Sequence, residues 1–193
     1  FCSATLPEPV MDLAKRVTRN PVRVEIAAES FTPKNIRQRA IFVEKDDKPE
    51  TVARLLKHFE GRSIVFARTK NTVDALAKTL RRHNLRVETL HGDRTQGARN
   101  KALDLFRQGR VPVLVTTDIA SRGLDIPDVD LVINMDMPET PEAYVHRIGR
   151  TARAGRKGVA FSLINIDERT FLRDVEKHIG YRVRIATEDS LDR

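Results

Sequence analysis

A chain of 193 residues suits one domain with some extra sequence, and a globule of that size buries about 70% of the surface its unfolded chain exposes. Lys and Arg outnumber Asp and Glu by 35 to 27, a net charge of +8, and are spread along the chain. Any face that attracts polyanions must therefore be assembled by folding. A single cysteine, Cys2, excludes an internal disulfide and a Cys-based zinc site, and no apolar run approaches the ~18 residues of a membrane helix. The chain opens on Phe1 rather than Met and reads as an excised fragment, with any targeting segment upstream out of view.

In chain order, Met11–Val17 reads as a short helix. Pro21, Pro33 and the polar residues of Glu29–Asn35 read as a linker outside the main sheet. Ile41–Val43 reads as a first strand. Val52, Leu55, Leu56 and Phe59 then fall at i, i+3, i+4 and i+7, as do Val73, Leu76, Ala77 and Leu80. Ala98, Ala102, Leu105 and Phe106 repeat the stripe, and Phe171, Val175 and Ile179 mark a last helix. Between these lie Ser63–Ala67, Arg86–Leu90, Pro112–Thr116, Asp130–Asn134 and Val159–Ile164, short β-branched runs without strict alternation, as in strands covered on both faces. Strand and helix alternating at this spacing predict an α/β fold with a parallel sheet between helical layers. Ligands of such sheets gather at the carboxyl ends of the strands. That rule selects Ala67–Lys70, His91–Asp93, Thr116–Asp125 and the loops near Asp136.

The most chemically loaded segment is Tyr144–Arg156, which packs Arg147, Arg150, Arg153 and Arg156 beside His146. Guanidiniums so close together repel one another unless an anion answers them. Arg150 and Arg153 are three apart, so on a helical turn both project the same way and can clamp one phosphoryl group. Gly149 and Gly155 interrupt the stretch, as they would where backbone must approach a ligand. The plain alternative is a solvated basic helix end, or arginines paired with nearby Asp and Glu. A second segment, Thr116–Asp125, follows an apolar strand. Its threonines offer hydroxyl and N–H to phosphate, Asp125 can accept from sugar hydroxyls, and Asp118 or Ser121 could simply cap a turn. The chain contains no G-x-x-x-x-G-K-[ST] loop and no Asp-Glu-Ala-Asp box to hold Mg²⁺. An anion clamp is present without the cradle it would complete.

Taken in order, these segments resemble the C-terminal half of a DEAD-box RNA helicase. Ser3-Ala4-Thr5 resembles the motif that closes the family's first lobe. Ile64-Val65-Phe66 with Thr69 resembles motif IV, and His91-Gly92-Asp93 with Gln96 and Arg99 resembles the HGD and QxxR elements. Thr117–Asp125 resembles motif V, and His146–Arg153 resembles motif VI. The resemblance implies a RecA-like three-layer sandwich over 35–186, preceded at 1–34 by the end of the first lobe and a linker, with 187–193 starting an extension. It implies that Arg150 and Arg153 are arginine fingers for the γ-phosphate, and that Gly123 and Asp125 meet the nucleotide, Asp125 at the ribose. Thr69, Gly92, Arg99 and Thr117 would touch the RNA sugar-phosphate backbone. His146 and Arg147 would tie the cleft to the first lobe, while Ser3 and Thr5 couple hydrolysis to closure. ATP with Mg²⁺ would be held mainly by the N-terminal lobe, so this chain alone would be inactive. The wording of QGARNKAL and RTARAGRKG is similar to bacterial, cytoplasmic helicases of ribosome assembly and cold adaptation. One departure stands out: the family's Thr-Gly-Arg reads Thr151-Ala152-Arg153, which suits a helical residue at 152. Two other readings remain, an RNA- or partner-binding RecA-like module without ATP chemistry, and a lobe of a DNA translocase.

Overall fold

A computed structural model describes residues 8–19, 35–124, 126–152 and 155–187. The chain divides into two compact units, Phe1–Phe31 and Thr32–Arg193. In the first, helix α1 (Glu8–Val17) carries an exposed Leu13 and Val17 and a Lys15–Asp12 pair one turn apart.

The second unit is built on one parallel sheet. Its strands are β1 (Ile36–Phe42), β2 (Ser63–Phe66), β3 (Val87–Leu90), β4 (Val113–Thr116), β5 (Leu131–Asn134), β6 (Gly158–Ile164) and β7 (Arg184–Ile185). Spatially they run β3-β4-β2-β5-β6-β1-β7. All recorded pairings are parallel. β2, β4 and β5 are buried throughout, which is why their sequences are unbroken apolar runs. β1 starts five residues before the expected Ile41, because Arg37 and Arg39 alternate with buried Ile36, Gln38 and Ala40 and interrupt the apolar signal. Beside it, β7 is two exposed residues long and carries no readable pattern.

Helices α2 (Lys48–His58) and α3 (Lys70–Arg82) cover one face, packing Val52, Leu55, Val73 and Leu76 on Val65, Val115 and Ile133. Helices α4 (Gln96–Arg107), α6 (Pro141–Ile148) and α7 (Arg169–Ile179) cover the other, where Phe106, Tyr144 and Leu172 meet Ile64, Phe66 and Leu114. Even and odd positions of β2 thus serve opposite cores. This is the three-layer RecA-like sandwich expected from the sequence. A four-residue turn of helix, α5 (Asp118–Ser121), follows β4.

Candidate functional site

After β4 the chain crosses β2 to reach β5, so the strand order reverses there and opens a crevice beyond the carboxyl ends. A hollow of about 250 Å³ occupies this place, lined by Arg68, Thr117, Asp118, Met137, Thr140 and Arg147 among others. The helices around it begin in one way. Thr69, Thr95, Thr117 and Thr140 are the N-caps of α3, α4, α5 and α6, each accepting a backbone N–H through its hydroxyl oxygen. The Thr116–Asp125 segment is therefore capped by Thr117. Asp118 is not the cap, and Ser121 turns its hydroxyl back to the Asp118 carbonyl at 2.9 Å.

Arg147 is the hub. It is 3% exposed, and its guanidinium forks onto Asp118 with Nε–Oδ1 and Nη2–Oδ2 both at 2.7 Å. Nη1 donates to Asn134 Oδ1 at 3.2 Å and to the Asp136 carbonyl at 2.6 Å, and the Cζ atom lies 5.1 Å from the centre of the Phe66 ring. Four of its five N–H donors are satisfied inside this lobe. Arg147, expected to tie the cleft to the first lobe, thus has its anion within this lobe, in Asp118. The β5 loop is fixed from behind as well. Asp136 Oδ2 accepts the Arg68 N–H at 2.7 Å. Lys48, 1% exposed, donates to the Met135 carbonyl at 2.8 Å and to Glu168 at 2.5 Å, and Glu168 in turn accepts the Met137 N–H at 2.9 Å. The loops carrying motifs IV, V and VI are thereby wired to one another.

The remaining arginines of the stretch differ. α6 ends at Ile148 with Gly149 as its C-cap, and Thr151 leaves the helical path to bridge Val129, its hydroxyl donating to the Val129 carbonyl at 2.5 Å. Residues 150–152 are therefore not helical. Arg150 is half-buried in the turn after α6, its N–H on the Arg147 carbonyl and its carbonyl accepting from Val129 N at 3.0 Å. Arg156 pairs with Asp128. Gly155 has φ +76° with open space where a Cβ would stand, so it serves a left-handed turn rather than a close approach. Ala152 has φ +59°, left-handed and not helical, the conformation that the family's glycine adopts without strain.

Of the other expected residues, Thr69 and Gly92 are exposed at the ends of β2 and β3, Gly123 has φ +69°, and His146 is exposed on α6. Arg99 reaches from α4 to the Ala120 carbonyl at 3.1 Å, so the QxxR element grips motif V. Asp93 sits 2.7 Å from Lys70, whose ammonium holds its carboxyl below the usual range. Ser3, Thr5, Asp125 and Arg153 lie outside the described residues. Among the described residues no three His, Cys, Asp or Glu side chains converge as a metal site, and no helix is long and apolar enough to cross a membrane. Sequence reasoning passed over Lys48, Asn134 and Glu168. Their signal was present: Lys48 stands four before Val52 and Glu168 four before Leu172, each a charge on an apolar stripe.

An open parallel sheet with an arginine-bearing hollow at its switch point is the architecture of a RecA-like motor lobe. The family model described as helicase conserved C-terminal domain matches residues 47–155. The DEAD-box ATP-dependent RNA helicase CshA of Bacillus subtilis is 42% identical over 191 residues, covering 98% of this chain and 39% of that protein. The structure of the E. coli DEAD-box protein SrmB, solved with the regulator of ribonuclease activity A, matches with 42% identity and a TM-score of 0.75, over 80% of this chain and 92% of that one. S. cerevisiae Dbp5, solved with RNA and ADP BeF3, matches with 34% identity and a TM-score of 0.84, over 98% of this chain and 51% of that one. The chain belongs to the DEAD-box helicases, as the C-terminal lobe. It spans about two fifths of the length of the curated relatives it matches.

Proposed function

We propose that this lobe is the second half of an ATP-dependent RNA helicase, supplying arginine fingers and half of the RNA-backbone site for local unwinding of duplexes. The observation that carries this reading is the Arg147 hub. By holding Asp118, Asn134 and the Asp136 carbonyl together, it fixes the turn that presents Arg150 relative to the loop of Thr117 and Gly123.

Arg150 and Arg153 then stabilise charge developing on the transferring phosphoryl, where a finger contributes 10³–10⁵ in rate, about 4–7 kcal/mol. Gly123 and Asp125 meet the nucleotide, with Asp125 at the ribose. Thr117 suits phosphate contact: its hydroxyl oxygen already accepts a backbone N–H, which leaves its hydrogen for an outside acceptor, and Thr69 offers an exposed hydroxyl paired with that of Thr72 at 2.8 Å. Gly92 and Arg99 complete the backbone contacts. His146 faces outward, where a first lobe can meet it, and Ser3 and Thr5 couple hydrolysis to closure. Mg²⁺, when bound, offsets charge on the β- and γ-phosphates from the other lobe. The RNA bound in the Dbp5 structure and the RNA helicases among the relatives support RNA as the polymer. A reducing cytoplasm suits the lone cysteine, and ribosome assembly is the process favoured by the bacterial wording of Gln96–Leu103 and Arg150–Gly158.

The test is RNA-stimulated ATP turnover by the full-length protein carrying this lobe. The isolated chain should show none, and Arg150→Ala should lower full-length turnover about 10³-fold or more. Turnover within a few-fold of the parent would remove the finger assignment.

A further inference from the structure

Outside the cleft, α7 carries Arg169, Arg173 and Lys177 at i, i+4 and i+8, an exposed row along one helix face. Among the described residues none of the three pairs with a carboxylate; Arg169 instead stacks over Phe42, Cζ 5.1 Å from the ring centre. Their own acidic neighbour is occupied. Glu176 accepts Arg182 Nη1 at 3.0 Å and the Val183 N–H at 2.9 Å, one on each oxygen.

Beside this row the sheet ends in apolar side chains left in water. Phe42, the last residue of β1, is 45% exposed and Ile185, on the edge strand β7, is 48% exposed. These two share a hollow of about 440 Å³ with Arg169, Leu172, Arg173 and Val183. It continues at one end into a basic hollow with Lys177 and Tyr181. At the other end the charge reverses, with Glu44, Asp47 and Glu50 beyond Phe42. Unanswered cations along one wall, aliphatic and aromatic side chains on the floor and an acidic far end give the groove a direction.

We infer that the α7–β1–β7 groove is a docking surface for a short acidic protein segment bearing a large apolar side chain. The segment's carboxylates answer Arg169, Arg173 and Lys177, and its apolar residue fills the space between Phe42 and Ile185. Arginine and aromatic groups around an apolar centre are the composition of binding hot spots. RNA suits the groove less well: the Phe42 ring is capped by Arg169, so it offers a base no open face on that side, and Leu172, Val183 and Ile185 give nothing to phosphate. β1 lies two strands from β5 in the sheet, about 10 Å at ~4.8 Å per strand, and the groove shares no lining residue with the cleft hollow. The surface is therefore separate from the cleft and does not rest on the helicase reading.

The probe is a short fluorescent peptide alternating Asp and Glu with Leu and Phe, titrated against this chain by anisotropy and mapped by amide shifts. We expect saturable binding with shifts confined to α7, Phe42 and the Ile185 strand. The double change Arg169→Glu with Arg173→Glu, at exposed positions that leave the core untouched, should weaken binding roughly tenfold or more, and Ile185→Ser should weaken it with every charge kept. A peptide with Ser in place of Leu and Phe that binds equally well, or displacement of the probe by a single-stranded RNA oligonucleotide, would overturn the inference. So would shifts centred on Thr117 and Arg99.

Discussion

Two arginine-rich regions of this lobe look alike in composition and differ in wiring. At the carboxyl ends of β2, β4 and β5, the buried Arg147 and Lys48 pair with the half-buried Asp118 and the buried Glu168, and their other donors reach backbone carbonyls and Asn134. Along α7, Arg169, Arg173 and Lys177 face solvent with no carboxylate among the described residues answering them. A cation's role is set by what already meets it, not by how many cations lie nearby. The first set positions loops, and the second is available to an outside partner.

That contrast can be broken most forcefully at Arg147. Arg147→Ala unpairs the half-buried Asp118 and leaves Asn134 Oδ1 and the Asp136 carbonyl without their donor, and a buried polar group left without its partner costs about 1–3 kcal/mol. Denaturant unfolding of this chain should show a lower midpoint at an unchanged slope. A loss below ~1 kcal/mol would place the pair with ordinary surface bridges. Next in size is Ala152, held at φ +59°. Left-handed backbone costs an L-residue about 1–2 kcal/mol, so Ala152→Gly should stabilise by about 1 kcal/mol once glycine's greater unfolded freedom is subtracted, raising Tm by roughly 2–4 °C in a domain of this size. A fall in Tm would mean that alanine is unstrained there.

The smallest effect is at the rim. Lys70 lowers the pKa of the exposed Asp93 carboxyl. A depressed folded-state pKa gives a contribution that is complete above the ordinary Asp range and fades as pH falls through the lowered value. In Lys70→Met the Asp93 carboxyl should titrate at higher pH than in the parent, read by NMR. An unmoved titration would show that the ammonium does not act on it.

The buried strands were legible because uninterrupted apolar runs leave a sheet covered on both faces little alternative. β1 was read only at its end, since Arg37 and Arg39 break its run, and β7 was missed because two exposed residues carry no period. At the site, the sequence located the loops but not their internal pairings. It grouped arginines of which the fold separates the three described: Arg147 inward on Asp118, Arg156 on Asp128 and Arg150 in a turn. Residues 150–152 do not continue the helix because Gly149 stops α6 and Thr151 is drawn to Val129. Such pairings are long-range: Asp118 lies 29 residues from Arg147 and Glu168 lies 120 from Lys48. Local periodicity cannot see them.

One pair of readings on the full-length protein separates the two kinds of arginine most directly: thermal midpoint and RNA-stimulated ATP turnover for Arg150→Ala beside Arg147→Ala. The expected result is an Arg150→Ala protein that melts closer to the parent than Arg147→Ala does and has lost about 10³-fold or more of its turnover. An Arg150→Ala protein that hydrolyses ATP normally, or that unfolds as early as Arg147→Ala, would contradict it.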